Sequence, residues 1–271
     1  MTWQALTTTD HAQSGWTRFK SYQHAQNDAL APVLAAEIPQ LLSSYALAFA
    51  LKADPHNTTQ QTTPDYQLVA LLSLQAGLNL FLDADQQWQA AYVPAHYRSY
   101  PFNLLPNQQG ELTLCFDTEA DLIHTPAQPG QLPLLNQQQQ PSEHLAPIIQ
   151  FLQQRHQQSQ VTQALVNQLA GQQLIQPWPL NSAGADGEEQ PVKGLYRIDE
   201  QALKTLEPAL LSELAQSGAL ALAYAQLFSQ TRLQDFNHRF ERHQHQQTSQ
   251  THDELDLDQV FGEADNDLFK F

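Results

Sequence analysis

Apolar residues recur along this chain at two different periods, and the change of period divides it. Leu30, Val33, Leu34, Ile38, Leu41, Leu42 and Tyr45 fall three and four apart, the spacing of one buried helix stripe, with Pro32 near the start and Pro39 in the middle. The pattern then turns strand-like. Tyr45 to Leu51, Tyr66 to Leu74, Leu78 to Leu82, Trp88 to Val93 and Leu112 to Phe116 read as strands, punctuated by a turn-rich loop from Asp54 to Pro64, by Gly77 and by Asp83-Ala84-Asp85. Pro126 to Pro141 carries four prolines and one glycine and reads as a surface loop. Beyond it Leu145, Ile148, Ile149, Leu152, Val161, Leu165, Val166 and Leu169 keep a helical period that stops at Gly171.

The rest of the C-terminal half is mainly helical in pattern. Leu174 to Trp178 is a short extended piece, Asn181 to Glu189 a flexible loop, and Gly194 to Ile198 a strand. Asp199 is placed to cap a helix reaching Leu206, Pro208 to open another, and Leu220, Leu222, Tyr224, Leu227, Phe228, Leu233, Phe236 and Phe240 to form a last helix on the core. The pattern predicts an α+β protein: a polar N-terminal arm over 1–28, loosely docked through Trp3, Trp16, Phe19 and Tyr22, then one domain over 29–247. That domain is an antiparallel, strand-rich half at 29–125 against which a helical half at 142–247 packs. Residues 248–271 stand apart as an acidic tail, with seven acidic side chains and one lysine among apolar residues that include Phe261, Phe269 and Phe271. Such a tail is a solvated, disordered end or a docking peptide kept soluble by its charge.

Charge narrows the range of partners. The 28 acidic against 12 basic side chains give a formal net charge of −16, which opposes nucleic acid and anionic lipid. Neither nucleic-acid binding nor membrane insertion is expected, because the apolar runs are also too short to span a bilayer. The first residues show no basic region followed by an apolar run, and the single Cys115, in an apolar strand-like run, permits no internal disulfide. Both observations point to a cytoplasmic protein.

Candidate chemistry concentrates in Tyr92-Val93-Pro94-Ala95-His96-Tyr97-Arg98-Ser99-Tyr100-Pro101-Phe102. Pro94 and Pro101 stiffen the segment. If it is extended, His96, Arg98 and Tyr100 share a face; if it closes one helical turn, Tyr97 and Tyr100 lie together with Pro101. Arg98 offers a planar fork for a carboxylate and Tyr100 a hydroxyl donor, while Trp88 and Trp178 are candidates for lining an apolar pocket. Phe261, Phe269 and Phe271 are the matching contacts on the tail. The eleven histidines are scattered, so no metal is expected, and no G-x-S-x-G elbow, phosphate-binding loop or dinucleotide fingerprint occurs, so no cofactor is expected. No catalytic residue can be named.

Tyr92-Val93-Pro94-Ala95, Arg98 and Tyr100-Pro101-Phe102 resemble the hallmark of the bacterial SapC family. Leu174 to Trp178, Gly194 to Glu200, and Gly218 to Leu220 with Tyr224 to Ser229 agree in order and character. The resemblance spans roughly Leu30 to Phe236. It implies an auxiliary role beside TonB-dependent receptors or tryptophan-halogenase-like systems, and it supplies no catalytic residues. Two readings follow. One is a non-enzymatic binding or adaptor protein engaging a peptide or protein partner around Arg98. The other is an enzyme, or enzyme subunit, acting on a peptide or aromatic metabolite, with His96 and Tyr100 moving a proton and Arg98 clamping an anion.

Overall fold

In a computed structural model, which describes residues 2–52, 64–183 and 189–245, one long helix runs past two separate hydrophobic cores. The first half supplies strands β1 (Trp3–Ala5), β2 (Gly15–Trp16), β3 (Leu30–Pro32), β4 (Leu47–Leu51), β5 (Tyr66–Leu71), β6 (Phe102–Pro106), β7 (Leu112–Asp117), β8 (Ile123–His124) and β9 (Leu132–Pro133). A 3-10 turn at Ala35–Glu37 and a short helix α1 (Ile38–Leu41) lie between β3 and β4. The second half opens with the long helix α2 (Ala146–Gly171), followed by β10 (Ile175–Pro177), β11 (Leu180–Ala183), β12 (Glu189–Val192) and β13 (Leu195–Ile198). It closes with α3 (Glu200–Lys204), α4 (Pro208–Ser217), α5 (Ala219–Ser229) and a helical stretch at 235–245. The architecture is therefore mixed α+β, strand-rich first and helical later.

The larger sheet is antiparallel throughout, in the order β10-β13-β4-β5-β3. Its central strands β4 and β5 are almost wholly buried, as a sheet covered on both faces requires, and they read as continuous apolar runs for that reason. Gln226 of α5 is fully buried against it: its side-chain oxygen accepts from Ile198 N at 2.9 Å and its amide donates to Leu47 O at 3.1 Å. Ser229 Oγ accepts from Leu47 N at 2.9 Å. The second core gathers Trp16, Phe102, Phe116, Leu134, Leu135, Leu145 and Leu152 beside the sheet β1-β7-β6 and the small sheet β8-β2-β9. Helix α2 reaches both, with Leu152 in the second core and Val166 and Leu169 in the first.

Several expectations are corrected. The helix stripe from Leu30 to Tyr45 is broken into β3, the 3-10 turn and α1, because Pro32 lies on an edge strand, where its missing N–H costs no ladder bond, and Pro39 falls in the first turn of α1. Leu78 to Leu82 and Trp88 to Val93 form only one bridge, Leu82 with Trp88. Asn79 captures Phe81 N and Ala25 O, and Asp83 captures Asp85 N and Gln87 N, so side chains take backbone groups that a ladder would use. The loop from Pro126 to Pro141 contributes β9 and the buried Leu134 and Leu135. β11 and β12 form a hairpin where a loop was expected. The described part of the N-terminal arm, residues 2–28, is not loosely docked: β1 pairs with β7, β2 pairs with β8 and β9, and Trp16 is in the second core. The last helix stripe is interrupted by a 3-10 segment at Gln230–Gln234.

Other expectations hold as read. α2 ends at Gly171, Asp199 caps α3 by accepting from Gln201 N and Ala202 N, Pro208 opens α4, and Cys115 is a buried free thiol. The tail over 248–271, with Phe261, Phe269 and Phe271, lies outside the described residues, as does most of the loop from Asp54 to Pro64.

Candidate functional site

The Tyr92 to Phe102 segment closes helical turns. Tyr97 N donates to Pro94 O at 3.0 Å, Arg98 N to Ala95 O at 3.3 Å and Phe102 N to Ser99 O at 2.8 Å. Of the two arrangements open from sequence, the turn is therefore the one adopted, and it sends successive side chains in different directions. Tyr97 and Tyr100 flank His24, with the Tyr100 ring parallel to the imidazole at 3.8 Å between centroids. Tyr100 OH donates to Asp117 Oδ2 at 3.1 Å and Tyr97 OH donates to Asp28 Oδ2 at 3.0 Å. Burial first, then the neighbouring carboxylate, raises both phenols and holds their protons.

Arg98 points elsewhere. Its guanidinium lies over the rings of Tyr92 and Phe151 at 5.1 and 5.2 Å and donates to Tyr92 OH at 2.9 Å. Trp88 donates its indole N–H to Tyr45 OH at 2.7 Å and packs edge-on to Tyr22. Trp178 is buried in the larger core, its backbone N donating to Leu195 O at 2.8 Å. His96, Arg98 and Tyr100 thus do not converge.

His96 instead faces a cleft of about 410 Å³ beside the middle of α2, whose lining includes Glu37, Lys52, Arg155, His156 and Gln163. This cleft lies where the helix passes from one core to the other. Thr162 Oγ1 accepts from Ala35 N at 2.9 Å, and Gln163 donates to Tyr66 O at 2.9 Å. These bonds satisfy backbone groups beyond the end of the β3–β5 ladder, as buried polar groups require.

Two charged residues missed from sequence hold the cleft's wall. Glu37 is only 5% exposed, and its carboxylate accepts from Leu34 N at 2.9 Å, Tyr92 OH at 2.9 Å and Ala95 N at 2.7 Å. It fastens the 3-10 turn to the signature segment. Arg155 donates from Nη1 to His96 O and Ser99 Oγ, both at 3.3 Å, and from Nη2 to Asn103 Oδ1. It fastens the same segment to α2 and β6. Both carried a signal: Glu37 is a carboxylate inside the apolar stripe Leu34, Ile38 and Leu41, and Arg155 follows Leu152 by three on the buried face of α2.

Burial first, and the Arg155 charge second, lower the His96 imidazole to about 4, although the residue as a whole is exposed. His24 is also lowered to about 4, by burial foremost and then by His96, with Asp117 opposing. Both rings are neutral at pH 7. No group of three or more metal-ligating side chains occurs among the described residues, and no helix among them is long and apolar enough to cross a membrane.

The family model described as SapC matches residues 6–236. No curated protein and no solved structure matches the chain.

Proposed function

The chain belongs to the SapC family, and from that premise we propose that it is a non-enzymatic binding or adaptor protein, cytoplasmic, engaging a peptide or protein partner through the cleft beside α2. One observation carries this reading. The side chains of the signature segment suited to chemistry are committed to internal partners, Arg98 to Tyr92 and Phe151 and Tyr100 to His24 and Asp117, whereas His96 turns into an open cleft. The cleft is also within the volume range of ordinary ligand sites. In the reading as an enzyme, His96 and Tyr100 act on one substrate; their divergence favours binding. The partner class that the family resemblance suggests is a TonB-dependent receptor or a tryptophan-halogenase-like system.

A photo-crosslinking residue at Ser159, on the cleft wall, tests the proposal in living cells against the same residue at Ser212 on the exposed side of α4. A discrete protein adduct from position 159 alone is expected. No adduct there, or the same adducts from both positions, overturns the reading.

A further inference from the structure

The charge balance inside the cleft differs from that of the whole protein. Across the chain acidic residues exceed basic ones by more than two to one, yet the charged cleft lining is Lys52 and Arg155 against Glu37 alone. Glu37 is spent: both its oxygens accept from Leu34 N, Tyr92 OH and Ala95 N. Arg155 is a cation held by neutral acceptors, a carbonyl, a hydroxyl and an amide, and among the described residues none of its hydrogen-bond partners is a carboxylate. Burial lowers its guanidinium and the nearby Glu37 carboxylate opposes that shift, so the cation is partly desolvated, with one carboxylate close by but not hydrogen-bonded to it. Buried charges are ordinarily paired, and these three bonds leave part of the guanidinium's donor set unspent.

The remaining polar groups suit the same ligand. His96 and His156 are imidazoles on the cleft lining, and among the described residues Lys52 is paired with Asp65 at 3.3 Å, in a half-exposed pair of little intrinsic strength, whereas Gln163 spends its amide on Asp65, Tyr66 O and Asn167 and Gln160 donates to His156 Nε2. A carboxylate entering the cleft gives Arg155 a directly hydrogen-bonded anion, which Glu37, already accepting from Leu34 N, Ala95 N and Tyr92 OH, does not supply, and Lys52 can turn to it at small cost.

We propose that the cleft is a carboxylate-recognition site in which Arg155 and Lys52 supply the charge and His96 and His156 supply directional contacts. This rests on the cleft being the binding site and adds the chemistry of its ligand. Two sources carry that chemistry, a small organic acid and an acidic side chain or C-terminus of a protein segment.

The test is a titration of the full-length protein with glutarate, with the neutral isostere glutaramide and with an acetylated tri-glutamate peptide, followed through the imidazole nitrogen resonances of His96 and His156. Saturable shifts with glutarate or the peptide and none with glutaramide are expected; saturation by glutarate identifies a small acid, and saturation by the peptide alone identifies a protein segment. Arg155→Gln is expected to weaken binding at least tenfold, and Lys52→Ala, which leaves the internal bonds of Arg155 intact, about threefold. Equal shifts from glutarate and glutaramide, or unchanged binding in Lys52→Ala and in a folded Arg155→Gln, overturn the inference. No shift from any ligand while the adduct at position 159 persists overturns the carboxylate and leaves the binding reading standing.

Discussion

The centre of the larger sheet and the cleft beside α2 both bury polar side chains, and they use them in opposite ways. At the sheet, Gln226 and Ser229 are neutral and serve Ile198 N, Leu47 N and Leu47 O in a fully buried setting. At the cleft, Glu37 and Arg155 are charged, and both clasp the signature segment from either side of an opening to solvent. Neutral amides complete a sheet without bringing in a charge, because each donor and acceptor finds one partner. Charges are tolerated at the cleft because they collect several partners apiece and because Arg155 stands at an opening to solvent.

The comparison breaks most readily at Glu37. Replacing it by alanine strands Leu34 N, Ala95 N and the Tyr92 hydroxyl together, and denaturant unfolding should show a loss of about 3 kcal/mol or more. A loss under about 1 kcal/mol would mean that the signature segment does not depend on this carboxylate. At the sheet, Gln226→Leu keeps similar bulk but leaves Ile198 N and Leu47 O unpaired, so the same assay should register about 2–3 kcal/mol. An effect there larger than that of Glu37→Ala would reverse the ranking of the two regions.

Acid should weaken the signature side. His24 and His96 have folded values near 4 against an ordinary 6.5, so the unfolded chain takes up more protons between those values. Their contribution is complete above about pH 6.5 and is lost as the pH falls towards 4, on the order of 2 kcal/mol in all, mostly from His24 because His96 is the more exposed of the two. Stability measured from pH 7 to 4 in His24→Phe should fall less steeply than in the parent chain; identical slopes would remove His24 from the account. The smallest effect belongs to Arg98→Ala. An exposed guanidinium over two rings is worth about 0.5–1 kcal/mol, so the fold should survive the change and its melting temperature move by only a few degrees. Outright unfolding would place Arg98 with Glu37 as a structural clasp.

What the sequence made legible was whatever is local. Asp199 caps α3, Pro208 opens α4, Gly171 ends α2 and the apolar runs of β4 and β5 are strands, because each depends on neighbours within a turn or two. The mixed architecture was legible in the same way. Arg155 and Glu37 were not, since their roles exist only where α2, the 3-10 turn and the signature segment meet. The polar interval between Leu152 and Val161 on α2 is the part of the helix that lines the cleft. Residues 1–28 misled for a related reason: β1 and β2 are two or three residues long, too short to show alternation, and gain their order from β7, β8 and β9 a hundred residues away.

The pairing of β13 with β4 has a consequence for how the chain is made. Leu195 and Tyr196 sit opposite Ala50 and Phe49, so one side of the most apolar strand in the sheet has no backbone partner until the last third of the polypeptide has left the ribosome. Throughout that interval the strand presents unpaired amides and carbonyls beside buried-type side chains, the combination that templates association between nascent chains. Truncations ending before Leu195 should accumulate as insoluble protein, and the rate of synthesis across the α2 coding region should set how much full-length protein escapes that fate.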